Sequence, residues 1–452
     1  LDVLDLLTSL CARSLVVAEF DGGESRYRLL DTMRSYAREQ LEASGEGPAT
    51  RDRHLAWCLE MAQEAEPRYA SSEGSIWLRR MASHNDDLLA ALQWGLLTAG
   101  TLDDLQRART AIELALALVF YWRETDHGSG VWWTFERGIE PARRLGDPGL
   151  LARVLYRAGE LDEMARMVDP HWAWSEPITS AGKANPSDHE VEPMPARERL
   201  GRALLQGDER LPQLLMDLGL SREAGWLVQD AAVGLFYGAG DLDGAEELFQ
   251  RSLAIKAASV PLLNWELAIN YGWLGEVYRA RHQLPEADAV LDKALTLFAI
   301  DNGLGTHRGW SLLNHAQTSL ALERVASATQ DLRLVVEEAR GRRHLQFGLN
   351  ALPVFAALAL RQGSACRAAR LLGAAIARWA EVGDDFHAAR RMGFGPADWE
   401  AFAATEAAAR QSLSPAAWEQ ALAQGAALSA EAALAYAMGE SDPWAGAEEG
   451  RA

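Results

Sequence analysis

"QLPEADAVLDKAL" (Gln283–Leu295) is the stretch that decides how this chain folds. It sets a small residue, Ala287, four positions before a bulky one, Leu291, and seven before another small one, Ala294. On a helix these positions share one face. A small–large–small order there lets a second helix come close and lock. The order recurs in three more places. "DLDGAEELFQRSL" carries Ala245, Phe249 and Ser252; "RVASATQDLRLVV" carries Ala328, Leu332 and Val335; "SACRAARLLGAAI" carries Ala368, Leu372 and Ala375. The four alanine anchors lie 42, 41 and 40 residues apart. A period of this size marks stacked helical hairpins, each burying its face against its neighbours.

In the best copy, Gly275, Tyr278, Ala287, Leu291 and Ala294 reproduce the tetratricopeptide spacing of Gly, Tyr, Ala, Phe/Leu and Ala. The period exceeds the usual length of about 34 for that repeat, so longer helices or turns are expected. The expected fold is all-α: an α-solenoid of tetratricopeptide-like hairpins. The pattern is specific for fold and nearly silent on ligand.

Composition agrees. The chain has 452 residues, enough for two to four domains or one long array, and 48% of them are apolar. Sixteen tryptophans suit the filling of helix–helix seams. A net charge of −20 makes the chain as a whole a poor ligand for DNA or an anionic membrane. Cys11, Cys58 and Cys366 are scattered, form no CxxC and have no zinc spacing, so a reduced, cytosolic setting is expected. The most apolar segment, "AIELALALVFYW", contains Glu113 and falls short of the roughly 20 residues a membrane span needs. No signal peptide is evident. Leu1 opens an already amphipathic segment, which suggests a chain that begins inside a domain.

The front of the chain reads differently from the rest. Val3, Leu6, Leu7 and Leu10 make one face of a short helix over residues 1–11. "SLVVAEF" and "RYRLL" flank the turn signal "DGGES", which predicts a β-hairpin. Asp31 is placed to cap a second helix with Met33, Tyr36, Ala37 and Leu41 on its apolar face. Helix, hairpin and helix make the back half of a winged-helix module. The predicted organisation is a partial winged-helix module over 1–46 and a helical linker with the first hairpins over 47–168. A proline-rich loop or insertion over 169–200 follows, then the repeats over 201–383, capping helices over 384–439 and a disordered tail over 440–452.

"SLVVAEFDGGESRYRLLDTMRSYAREQLEASGE" resembles the winged-helix end of bacterial signal-transduction ATPases with numerous domains, relatives of the NB-ARC switch ATPases found in LuxR/AfsR-type and cyclase-linked regulators. "WLRRMASHNDDLLAALQWGL" looks like the helix pair that follows this module in them. "AARLLGAAIARWAEVG" and "WEQALAQGAALSAEAALAYAMG" look like the last repeat and the cap of their sensor arm. The resemblance lapses between about Asp169 and Arg222, either a lineage insertion or an artefact of the reading frame. It implies a regulatory arm that binds an effector protein, peptide or small ligand on the solenoid face and controls its own or an associated ATPase domain. ATP or ADP is expected only in that upstream domain. This chain has no GxxxxGK[ST] motif and no Walker-B strand, so no cofactor, no metal and no enzymatic activity are expected in it. Where many relatives carry Met-His-Asp, whose His contacts the ADP β-phosphate, this chain has Leu29, Leu30 and Asp31. Leu cannot donate a hydrogen bond, so these three residues would form a mechanical switch joint. The alternative is a free-standing protein-binding scaffold without a switch.

Other candidates read as structural. Arg26, Arg28, Arg34 and Arg38 could contact phosphate but more simply make a solvated or ion-paired face, so direct DNA binding is not expected. In "SHNDD", Asn85 or Asp86 is expected to cap a helix rather than hold metal with His84. His171, His189, Asp169 and Glu190 lack metal-ligand spacing. Trp132, Trp133, Trp172 and Trp174 suit helix seams better than a ligand cage.

Overall fold

A computed structural model describes residues 3–21, 24–69, 71, 73–96, 102–125, 131–169, 194–260, 262–300, 305–341, 345–382 and 395–444. The chain opens with α1 (Val3–Ala12), a hairpin of β1 (Val16–Asp21) and β2 (Glu24–Leu29), and α2 (Asp31–Ala43). The strands pair antiparallel, with Val16 opposite Leu29 and Asp21 opposite Glu24. This is the helix–hairpin–helix order read from the sequence.

Helices follow: α3 (Gly47–Ala65), α4 (Gly74–Ser83), α5 (Asn85–Leu96), α6 (Leu102–Glu124), α7 (Trp133–Leu145), α8 (Pro148–Ala158) and α9 (Leu161–Arg166). After them come α10 (Met194–Leu205) and α11 (Arg210–Asp217). Four hairpins then repeat. They are α12 (Ser221–Gly234) with α13 (Leu242–Ala257), α14 (Asn264–Ala280) with α15 (Leu284–Ile300), and α16 (Gly305–Ala321) with α17 (Val325–Gly341). In the fourth, a first helix broken into α18 (Leu345–Leu349) and α19 (Leu352–Arg361) packs on α20 (Ala365–Val382). The array ends in α21 (Pro396–Gln411), α22 (Pro415–Ala426) and α23 (Ala430–Met438). The chain is an all-α solenoid with one small hairpin.

The repeat pattern maps onto the second helix of each hairpin. Ala245, Ala287, Ala328 and Ala368 have no exposed surface, and neither have Phe249, Leu291, Leu332, Leu372 and Ala294. Gly275 lies opposite: a Cβ there would sit 2.6 Å from the Leu291 side chain. Tyr278 ties one repeat to the one before, its hydroxyl donating to Glu246 at 2.7 Å. Helices α14 and α15 are each 17 residues long, which accounts for the lengthened period.

The buried residues form three successive cores, as stacking neighbours should. Leu55, Met81, Leu92, Tyr121 and Phe135 centre the first; Leu155, Trp226, Phe249 and Phe298 the second; Leu332, Leu372, Trp418 and Tyr436 the third. Phe120, Ile139 and Leu151 pack against both the first and the second, so the array is continuous there.

Two boundaries differ from the sequence reading. The predicted loop over 169–200 gives way to helix at Met194. Pro195 falls in the first turn, where no backbone N–H is needed, and Ala196, Leu200 and Leu204 bury one stripe. The rest of that stretch after Asp169 lies outside the described residues. The predicted disordered tail is anchored at its start. Glu440 accepts from both Arg340 Nη atoms at 2.8 and 2.9 Å. Trp444 packs edge-on to Tyr436 at 5.3 Å and beneath Arg370 at 4.5 Å. A bidentate ion pair and a partly buried aromatic offset the ordering cost that its Gly- and acid-rich composition suggests.

The cap meets the last repeat at close range. A Cβ on Gly425 would lie 1.8 Å from the Arg370 carbonyl oxygen, and one on Gly373 2.2 Å from that of Leu422. Only hydrogen fits between α20 and α22. Gly425→Ala should therefore force the helices apart and cost about 1–3 kcal/mol in urea unfolding. A change under about 0.5 kcal/mol, typical of surface positions, would show that the crossing is looser.

Candidate functional site

The module at the front holds the switch-joint residues. Leu29 ends β2 opposite Val16. Leu30 is 41% exposed and occupies the N-cap position of α2 with extended backbone and no side-chain cap bond. Asp31 is thus not the cap expected from sequence. The hairpin register leaves a single residue between strand and helix, so Asp31 is already the first helical residue. There its charge favours the helix dipole and pairs with Arg34. Neither α1 nor α2 has a buried residue. Leu4 is 63% and Tyr36 56% exposed, with Val3, Leu6, Leu10 and Tyr27 also outside. An ion pair from Arg51 to Glu42 at 2.9 Å links α2 to α3.

The first helices of the repeats form a layer with different chemistry at its two ends. At their C-terminal ends lies a buried polar clamp. Arg279 on α14 donates to Asp398 Oδ1 and Gln317 Oε1, both at 2.8 Å, and to Asn314. Gln317 also donates to Asp398 at 2.8 Å, and Asn314 donates to Glu276 at 3.1 Å. Tyr237, in a π-helical turn that extends α12 over Leu235–Ala239, donates to Glu276 at 3.3 Å. Asp398 receives the Gly395 N–H at 2.7 Å and so starts α21 while gripping the repeats. The Arg279 and Asp398 side chains are 5% and 3% exposed.

His315 pins neighbouring helices in the same layer. Its Nδ1 donates to Asp331 of α17 at 2.7 Å, and its Nε2 lies 3.2 Å from Asp292 and 3.6 Å from Asp288 of α15. Arg324 pairs with Asp288 at 2.7 Å.

At the N-terminal ends of the first helices lies a cleft. Its volume, open to solvent, is about 660 Å³. Phe120 of α6, Trp226 of α12 and Trp265 of α14 line its wall, and Glu66, Arg153, Arg157, Arg222 and Glu223 bring charge. The rings touch: Phe120 and Trp265 at 5.2 Å, Trp226 and Trp265 at 5.9 Å. Arg222 donates to Glu266 at 2.5 Å and lies 3.7 Å from Glu66. Arg153 meets Glu223 at 3.0 Å. Trp226 donates its indole N–H to Glu266 at 2.8 Å. On its ring sits Lys256, 1% exposed, whose Nζ is 3.6 Å from the centroid and donates to Gln229 and Asn270 at 2.6 and 2.8 Å.

The sequence did not single out these cleft residues. The available signals were the i,i+4 pairs Arg153/Arg157 and Arg222/Trp226, which put charge on faces otherwise given to packing. The repeat-packing residues are interior except Tyr278, which is partly buried, and none of them lines this cleft. His84 pairs with Asp87 at 3.0 Å, and it holds the position before α5 that was expected of Asn85 or Asp86. Asn85 instead accepts from Tyr121 at 3.3 Å, a tertiary contact that outranks capping. Among the described residues no cluster of His, Cys, Asp and Glu could hold a metal ion, and no helix is long and apolar enough to cross a membrane. Trp132 packs on Phe135 at 5.8 Å as a seam residue. His171, Trp172, Trp174, His189 and Glu190 lie outside the described residues.

No family model matches the chain. It is 28% identical to proteins of Mycobacterium tuberculosis and Mycobacterium bovis whose assignment as HTH-type transcriptional regulators is itself provisional. That alignment of 231 positions covers 38% of this chain and 25% of theirs, so it spans about a quarter of the relatives' length. Among solved structures, a signal-transduction ATPase with a tetratricopeptide repeat sensor from Pyrococcus horikoshii is 13% identical, with a TM-score of 0.37 over 88% of this chain and 58% of that one. BtubC from P. vanneervenii is 15% identical, with a TM-score of 0.32 over 65% of this chain and 91% of that one. Scores this low carry no functional argument.

Two buried groups give the fold a pH dependence. Burial, then the nearby Asp398 charge, lifts the Glu276 carboxyl to about 8. The fold therefore holds a proton that the unfolded chain releases near 4.5, and stability falls as pH rises from there to about 8. Burial pulls the His315 pKa down, but the Asp331 hydrogen bond and the charges of Asp331, Asp292 and Asp288 more than offset it, leaving it above 6.5. Its contribution is complete below that value and is lost as pH rises through the folded pKa. The urea midpoint should fall between pH 5.5 and 8. Glu276→Gln should flatten that slope, and His315→Gln should flatten its upper part. A midpoint that stays level or climbs over this range contradicts the assignment.

Proposed function

We propose that this chain is the sensing and interaction arm of a signal-transduction ATPase that regulates transcription, with no catalytic step of its own. The observation that carries the reading is the division of labour in the fold. The repeats bury their apolar faces on one another, while the helix–hairpin–helix module keeps Leu4, Leu6, Leu10 and Tyr36 outside. Such a face suits docking on another domain. In this reading the module is the remnant of a winged helix, the partner is the ATPase core of the same or an associated protein, and that core holds ATP or ADP. Leu30, exposed and without a donor, would act at the joint by packing, not by touching phosphate. An effector bound to the first-helix layer would shift the population from a closed to an open, oligomerising state. The match to mycobacterial regulators supports a regulatory setting. The alternative is a free-standing scaffold, whose layer of first helices the clamp closes at one end without outside help.

The test is binding in trans to a Walker-A-bearing ATPase domain of the same or an associated protein. The chain should bind that domain when it holds ADP and release it when it holds a non-hydrolysable ATP analogue. Leu6→Ser combined with Tyr36→Ser should weaken the complex roughly tenfold or more without moving the chain's urea midpoint. Failure to bind in either nucleotide state would favour the scaffold.

A further inference from the structure

The cleft at the N-terminal ends of the first helices contains an arginine whose hydrogen-bond donors are not taken up by the described residues. Arg153 and Arg222 are engaged by Glu223 and Glu266. Arg157 is different. Its guanidinium lies over the Tyr156 ring at 4.9 Å and has no hydrogen bond or ion pair among the described residues. Tyr156 is itself fixed, because its hydroxyl donates to Asp230 at 2.5 Å. The aromatic seat therefore orients Arg157, and its planar fork of donors still lacks an acceptor. A guanidinium in this state fits a carboxylate or phosphate by two parallel bonds.

The wall beside Arg157 defines the rest of the ligand. Phe120 and Trp265 line the same opening in edge-to-face contact, a setting suited to a flat apolar body. The cleft, about 660 Å³ and open to solvent, leaves room for an acid group together with a ring. Of the carboxylates nearby, Glu223 and Glu266 are paired with other arginines, and Glu66 lies 3.7 Å from Arg222. We infer that this cleft binds a small aromatic anion, its carboxylate or phosphate on Arg157 and its ring against Trp265. The ligand would touch α8 of the leading array and α14 of the repeats at once, helices on either side of the proline-rich stretch. This assignment names the ligand class for the sensing role proposed above and rests on that reading.

Calorimetric titration of the full chain tests it with indole-3-carboxylate and phenyl phosphate as probes, and with indole and inorganic phosphate as controls. At least one aromatic anion should bind saturably with one-to-one stoichiometry. Indole and inorganic phosphate should each bind roughly tenfold more weakly or not at all. The better probe tells whether the acid is a carboxylate or a phosphate. Arg157→Gln should weaken binding roughly tenfold with the helical signal and urea midpoint kept, and Trp265→Leu should weaken it as much while lowering the midpoint, because Trp265 is a core residue only 7% exposed. Arg157→Lys, which keeps the charge and loses the fork, should fall between, and it serves if Arg157→Gln does not fold. No saturable binding of either aromatic anion up to about 10 mM overturns the inference, as does binding indifferent to all three substitutions. The measurement needs no ATPase domain, so its failure leaves the docking reading standing, and a failed docking test leaves the cleft standing.

Discussion

A methyl group at a helix crossing sets the geometry of this protein. Ala245, Ala287, Ala328 and Ala368 each sit, with no exposed surface, where the second helix of a hairpin lies on its neighbours. Close approach at those points is what lets Phe249, Leu291, Leu332 and Leu372 fill the seams. The Gly275 position shows the tolerance: there is no room even for a Cβ beside Leu291. Interiors packed to this density do not absorb added volume cheaply. Because each hairpin repeats the constraint, the first helices are brought into one layer, and the polar chemistry of the molecule collects at that layer's two ends.

The two ends are built differently. The clamp is dry and satisfied: Arg279, Asp398, Gln317, Asn314 and Glu276 take up one another's donors and acceptors. A buried charge network of this kind adds little net stability but strongly penalises misplacement, since a lone charge left behind is costly. It fixes where the cap sits. The cleft is open and only partly satisfied, with Arg157 held on Tyr156 beside an aromatic wall. A site meant to take a ligand keeps such unspent donors. The proposal of a sensing arm draws on this contrast between a closed end and an open one.

Much of the fold was legible because its determinants are local. Small–large–small spacing within thirteen residues foretold four second helices, and the start of α22 rests on a signal just as local, the Ser414 hydroxyl capping the helix one place before Pro415. The misses have physical causes. Asp31 fell one place inside its helix because strand register, a pairing property, set the boundary. The helix from Met194 hid behind prolines whose last member is tolerated in a first turn. The tail at Glu440 and Trp444 is held by Arg340 and Arg370, partners no local window contains. The clamp joins Arg279 to Asp398 across 119 positions. The cleft draws on residues from Glu66, just after α3, to His307 of α16. Its residues look like ordinary surface charge and seam aromatics until the solenoid assembles them.

The account's central claim is a closed repeat array carrying a front module whose apolar side remains uncovered. Native-state hydrogen exchange on the chain alone tests this most directly. Local stability should follow buried contacts. Amides of α14 to α17 should be the most protected, and those of α1, the hairpin and α2 should exchange by local opening at far lower free energy. Equal protection of residues 3–43 and the repeats would mean that the module is already packed within the chain, and would contradict the claim.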